Sequence, residues 1–203
     1  MGRFEYAASQ ISAVWKMARN DPDWREDLDA SVDGVFRSFE AAFYAIPLSV
    51  ILFAFFLRAA ANAEEPPSAP LFSASPAIFI GVQTVAYIAE WAAGVTLLAI
   101  AARSLNASRS AAPLIASYNW AQPPITALQT VTMGGIAITG ASASSVAIAF
   151  ASIILQMIIL WGVVRRALEC DIGVTVAILA GLLVSSILAA SLVVNLGAAL
   201  FTG

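Results

Sequence analysis

The sequence predicts an all-α fold: a polytopic membrane helix bundle with five transmembrane helices and an N-terminal cytoplasmic amphipathic helix. Three observations carry this. The 203 residues are 60% hydrophobic and only 11% charged, with a mean hydropathy of +0.84. A water-soluble domain of this length cannot bury that much apolar surface. Five apolar stretches, Ala41–Leu57, Pro76–Ala102, Pro113–Ala141, Val146–Val164 and Ile172–Phe201, can each cross a hydrocarbon core, which takes about 20 helical residues. Finally, the charge lies almost wholly between these stretches. Of the ten Lys and Arg, nine (Arg3, Lys16, Arg19, Arg25, Arg37, Arg103, Arg109, Arg165 and Arg166) fall in the N-terminal segment or in the second and fourth connections. The positive-inside rule then places the N-terminus and those connections in the cytoplasm and the C-terminus outside. Residues 1–39 form a polar N-terminal segment and residues 40–203 the bundle.

Residues 3–19 read as an amphipathic helix. Phe4, Ala7, Ala8, Ile11, Val14, Trp15 and Ala18 recur at helical spacing, and Arg3, Glu5, Gln10, Ser12, Lys16 and Arg19 fill the other face. It has two uses open to it: lying among lipid headgroups with Trp15 and Lys16 as interfacial anchors, or packing on the ends of the spans. At Asp21-Pro22-Asp23 a second helix is expected to start, Asp21 capping and Pro22 supplying the first turn. The acids from Asp21 to Asp33 fail the spacing of a calcium loop, with no glycine at the sixth place and no acid at the twelfth, and read as a solvated surface.

The first outside connection, Ala59–Ser75, is rich in Ala, Pro and Ser and carries Arg58, Glu64 and Glu65 around it, so irregular structure is expected. Span two contains Gln83 and Glu90. The third stretch, about 29 residues and about 43 Å as a helix, is too long for one upright span, and Pro123-Pro124 is expected to break it. Gly140–Ser145 turns into span four, which carries Gln156. In span five Gly181, Ser185 and Ala189 form a small-residue stripe suited to close helix packing. No internal repeat is visible, which argues against inverted-repeat transporters.

Reactive chemistry is sparse. The sequence has no histidine, which removes Ser-His-Asp and Cys-His nucleophilic sites, His-ligated zinc and His-held haem. Intramembrane aspartyl cleavage needs two acids sharing a proton, and only Glu90 lies within a span. Cys170, the only cysteine, reads as an unreactive thiol in a cytoplasmic turn. No catalytic residue, metal or cofactor is expected.

Glu90 is the sharpest residue. It lies thirteen residues before Arg103, roughly 20 Å from that anchor. An acid at that depth costs at least about 2.5 kcal/mol and must face the bundle interior. Two readings stand: a proton or cation relay, or a neutral carboxylic acid hydrogen-bonding span two to span three. The segment Tyr118-Asn119-Trp120-Ala121-Gln122-Pro123-Pro124 is the second constellation. Its prolines remove two donors and free the carbonyls of Asn119 and Trp120, which then need partners in a membrane. With span three crossing, an intramembrane polar cluster of Gln83, Glu90, Asn119, Gln122, Gln129 and Gln156 is expected. In the alternative, Pro113–Gln122 lies flat at the interface with Tyr118 and Trp120 as belt residues.

With this segment in span three, a polar cytoplasmic N-terminal segment, five tightly connected spans and an outside C-terminus, the chain resembles the five-span Ypt-interacting-protein (Yip) family in its bacterial form. The resemblance covers most of the chain. It implies a multi-pass protein of the bacterial cytoplasmic (inner) membrane, acting as a non-enzymatic scaffold or accessory subunit. Its implied partners are membrane lipid and other membrane proteins or further copies of itself, with no nucleic acid. Eukaryotic relatives act in membrane traffic and membrane shaping with small GTPases, a partner that does not carry over to a bacterial-type chain. The competing expectation is a small transporter or proton or cation channel using Glu90 and the broken third span.

Overall fold

A computed structural model describes residues 2–63, 69–140 and 142–201, and the described residues contain helices and no strand. In chain order they are α1 (Arg3–Ala18), α2 (Trp24–Asp27), α3 (Val32–Ser38), α4 (Ala42–Ala61), α5 (Pro76–Ser104), α6 (Ala111–Thr139), α7 (Ala143–Leu168) and α8 (Ile172–Phe201). Short 3₁₀ turns at Phe39–Ala41, Pro70–Ser73 and Ser108–Ser110 lead into α4, α5 and α6. Glu64 and Glu65 of the expected outside connection lie outside the described residues.

Four segments are long and apolar enough to cross a membrane: Val32–Ala61, Pro76–Ser104, Ala143–Leu168 and Ile172–Phe201. The third apolar stretch becomes α6, which is 29 residues long but not among these four. Its composition suits its place. Helix α6 is packed by α1, α3, α4, α5 and α7, and Leu114 and the run from Ala116 to Pro123 are buried. A helix walled in by others can carry Ser, Tyr, Asn and Gln at positions that would be costly against lipid.

The expected break at Pro123-Pro124 is absent, because both prolines lie inside a continuous α6. Ser117 Oγ donates to Pro113 O at 2.6 Å, Thr126 Oγ1 to Gln122 O at 2.8 Å and Thr130 Oγ1 to Thr126 O at 2.7 Å. These hydroxyls bond carbonyls other than those of Asn119 and Trp120, and contact with neighbouring helices is one of the things that lets a membrane helix carry proline. Pro113–Gln122 therefore runs into the rest of α6 without a break at the prolines. Trp120, expected as an interfacial anchor, is 1% exposed, with its ring edge-on to Tyr6 at 5.9 Å.

Helix α1 packs on protein, the second of its two expected uses. Tyr6, Ala7, Gln10, Ala13, Val14 and Met17 are buried against α6, α7 and α2. Gln10 fixes the following loop through both ends of its amide: Nε2 donates to Asp27 O at 2.8 Å, and Oε1 accepts from Asp29 N at 2.9 Å. Lys16, expected as an interfacial anchor, pairs with Asp27 at 2.9 Å, and Trp15 is half-buried against the same core. Helix α2 starts later than expected, with Asp23 at its N-cap and Trp24 as its first residue. Asp21 still accepts the Asp23 N–H at 3.0 Å, which makes a turn rather than a helix cap.

At the opposite end, the connection expected to be irregular contains an ordered plug. Leu71 is buried with Phe79 and Val82, and the rings of Phe56, Phe72 and Phe79 lie 5.0–6.3 Å apart.

Candidate functional site

Helices α5 and α8 are the most extensively packed pair. They run antiparallel, with Val82 against Gly197 and Leu97 against Gly181. A Cβ added at Gly197 would lie 2.6 Å from Val82 Cγ1, so the helices meet as closely as glycine allows. Gly181, of the expected stripe, takes part in this contact. Ser185 and Ala189 are half-buried, and the Ser185 hydroxyl returns to Leu182 O at 3.0 Å.

Midway between these contacts, at the centre of α5, stands Glu90. Ser186 Oγ of α8 donates to Glu90 Oε2 at 2.8 Å. The expected tie from span two to span three is therefore corrected: the acid reaches α8, because the close α5–α8 approach brings a hydroxyl within range. One turn along α5, Gly94 makes room for Tyr118 of α6, whose hydroxyl occupies the space a Cβ would take.

A cavity of about 180 Å³ opens beside Glu90, with Tyr87, Gln122, Gln129, Gln156 and Ser186 contributing its polar groups. Its remaining lining is largely apolar and includes Leu160 of α7 and Leu183 of α8. The Tyr87 hydroxyl is 2.9 Å from Thr126 Oγ1. Gln129 Nε2 donates to Gln156 Oε1 at 2.9 Å, and these two amides also line a second cavity of about 380 Å³ that contains Gln83. The amide pair thus forms a partition between the two spaces. Thr132 and Ser152, 2.6 Å apart, continue the α6–α7 polar seam.

The expected cluster is therefore divided. Glu90, Gln122, Gln129 and Gln156 share one cavity, and Gln83 belongs to the second. Asn119 lines neither, and it is fully buried in a network of its own. Its Oδ1 accepts from Trp91 Nε1 at 2.8 Å, and its Nδ2 donates to Ser38 Oγ at 2.8 Å. That network joins α3, α5 and α6. Sequence reasoning missed Ser38, Tyr87, Trp91 and Ser186. Trp91 and Ser186 each adjoin a residue already singled out, so adjacency was the available signal.

Chemically, the site offers one carboxyl, one hydroxyl donor to it, and neutral amides and phenols. It can hold a proton or accept a hydrogen bond from a guest. Among the described residues no group of three or more Cys, Asp or Glu is placed to hold a metal ion. Compared with known proteins, the chain matches no family model, no curated protein and no solved structure.

Proposed function

We propose that this chain is a non-enzymatic, Yip-like integral membrane protein of the bacterial cytoplasmic membrane, serving as a scaffold or accessory subunit through lipid and protein contacts. The observation that carries this reading is the commitment of the Glu90 carboxyl to Ser186 within the α5–α8 contact. An acid used in this way fixes two helices in register. The outer faces support the membrane setting: Ile148, Phe150 and Ile154 on α7 and Leu183, Leu188, Leu192 and Leu200 on α8 are exposed. So large an apolar surface fits lipid and is unfavourable in water. In this reading α6 is a fifth span sheltered by the others, and α1 lies at the cytoplasmic end.

The cavity beside Glu90 favours a second reading, a proton or cation path. About 180 Å³ is far more than the ~15 Å³ one water needs. Proton flux into liposomes bearing wild-type protein, Glu90→Gln or no protein separates the two. Equal flux in all three is the expected result. Flux seen with the wild type and lost in Glu90→Gln would replace the scaffold with a relay, since an amide cannot exchange the proton.

A further inference from the structure

The turn between α1 and α2 lies over the end of α7 and borders an open cavity of about 340 Å³. Asn20, Asp21 and Trp24 form one side, and Arg165 and Arg166, in the last turn of α7, form the other. Arg25 and Glu169 also line it and pair with each other at 2.6 Å. The remaining acid, Asp21, accepts the Asp23 N–H. Among the described residues the ion pairs are Lys16–Asp27 and Arg25–Glu169, so neither Arg165 nor Arg166 has a carboxylate partner. The Trp161 ring lies 5.8 Å from the guanidinium carbon of Arg165. Arg165 Nη1 and Arg166 Nε are buried and make no hydrogen bond. A buried donor on a charged group that has lost its water without gaining an acceptor is costly. Both side chains belong to the lining of one cavity, where an anionic guest would balance their charge.

We propose that this cavity binds a phosphate group, held by the guanidinium groups of Arg165 and Arg166. Guanidinium donors match phosphate oxygens in pairs, and the room available suits a headgroup-sized anion. The same chemistry is supplied by an anionic phospholipid headgroup or by a soluble phosphate ester. An arginine pair ending a membrane-length helix stands where lipid phosphate is found. The proposal deepens the lipid-contact part of the reading above and rests on it. Its failure would leave the Glu90 flux result, which tests that reading, unaffected.

The test is thermal unfolding of the full chain in neutral detergent, with phosphatidylglycerol, glycerol phosphate, inorganic phosphate or phosphatidylcholine added separately. A bound anion raises the unfolding temperature by mass action. A rise with phosphatidylglycerol alone assigns the site to lipid, and a rise with the soluble phosphates assigns it to a free ester. Arg165→Gln and Arg166→Gln should each abolish the rise, whereas Arg109→Gln, an exposed arginine on another connection, should keep it. If the glutamine variants do not fold, Arg165→Lys and Arg166→Lys keep the charge, lose the fork and should weaken the rise. No rise in the wild type overturns the site whatever the variants do. An equal rise with phosphatidylcholine, or a rise unchanged by the Arg165 and Arg166 substitutions, overturns it as well.

Discussion

Ser186 donates its hydroxyl to Glu90 Oε2 at 2.8 Å, at the centre of the antiparallel α5–α8 pair. A glutamine at position 90 keeps an acceptor of the same reach, while a leucine leaves the serine hydroxyl facing an apolar side chain. Glu90→Gln should therefore unfold near the wild-type temperature in detergent. Glu90→Leu should lose about 1–3 kcal/mol, the usual cost of orphaning a partly buried polar group. If Glu90→Leu proved as stable as Glu90→Gln, the hydrogen bond would contribute nothing to holding α5 on α8.

Asn119 joins three helices through two side-chain bonds, and all of it is buried. Asn119→Leu should cost about 1–3 kcal/mol for each of the Trp91 and Ser38 groups it orphans. In a cycle with Trp91→Phe the two losses should be less than additive, because the second substitution removes a donor that the first has already stranded. Additive losses, measured by denaturant unfolding, would show that the indole and the amide act independently.

How far these relationships were legible depends on what each requires. Helix boundaries followed from hydropathy: Pro76–Ala102 became Pro76–Ser104, and Ile172–Phe201 was matched at both ends. Local rules failed at Pro123-Pro124, where the enclosure of α6 overrides the proline signal, and enclosure is a property of the bundle. The acid at position 90 was visible in the sequence, but its partner was not. Ser185 and Ser186 stand about 100° apart around the helix, and the rotation of α8 against α5 decides which one meets the carboxyl. Trp120 belonged by composition to the membrane interface, until α1 covered the end of α6 and buried it.

The covering of α6 and α7 by α1 depends on Gly162 of α7, where an added Cβ would collide with the backbone of Met17 and Ala18. Gly162→Val should undock the C-terminal half of α1 and speed trypsin cleavage after Arg19. Gly135→Ala is the contrasting substitution, since nothing lies within 4 Å of its added Cβ. It should leave cleavage unchanged and stabilise α6 by up to about 1 kcal/mol. Equal cleavage of wild type and Gly162→Val would mean that α1 is already loose.

Docking of α1 should depend on pH at both extremes. The Ser31 hydroxyl, outweighing the opposing effect of burial, holds the Asp29 carboxyl below its usual value of 3.8, with help from the Tyr6 hydroxyl and Arg37. A lowered acid contributes stability above about pH 3.8 that is lost as pH falls through its folded value. Burial, followed by the Asp29 charge, pushes Tyr6 up from 10.0 to about 12. A raised group contributes stability below pH 10 that is lost as pH rises through about 12. Hydrogen-exchange protection of α1, corrected for the intrinsic rate, should be flat between these limits and fall beyond each. Asp29→Asn should remove the acid limb, and an unchanged limb in that variant would assign it to other carboxyls.

Whether α6 crosses the membrane decides between five spans and four. Reporter fusions can measure this directly. Its first half is enclosed by protein, and its second half exposes Val131 and Ile138, so the helix presents apolar residues where it is not covered. Its 29 residues span about 43 Å at 1.5 Å per residue, more than a hydrocarbon core of about 30 Å requires. With five spans, a reporter inserted within Asn106–Ser110 and one fused after Gly203 lie on opposite sides, the first in the cytoplasm and the second outside. If α6 instead stays on one side, only α7 and α8 cross between the two positions and both reporters fall on the same side. Opposite sides are expected. That outcome would make α6 a polar span carried inside a sheath of apolar ones, and the same side would end the five-span reading.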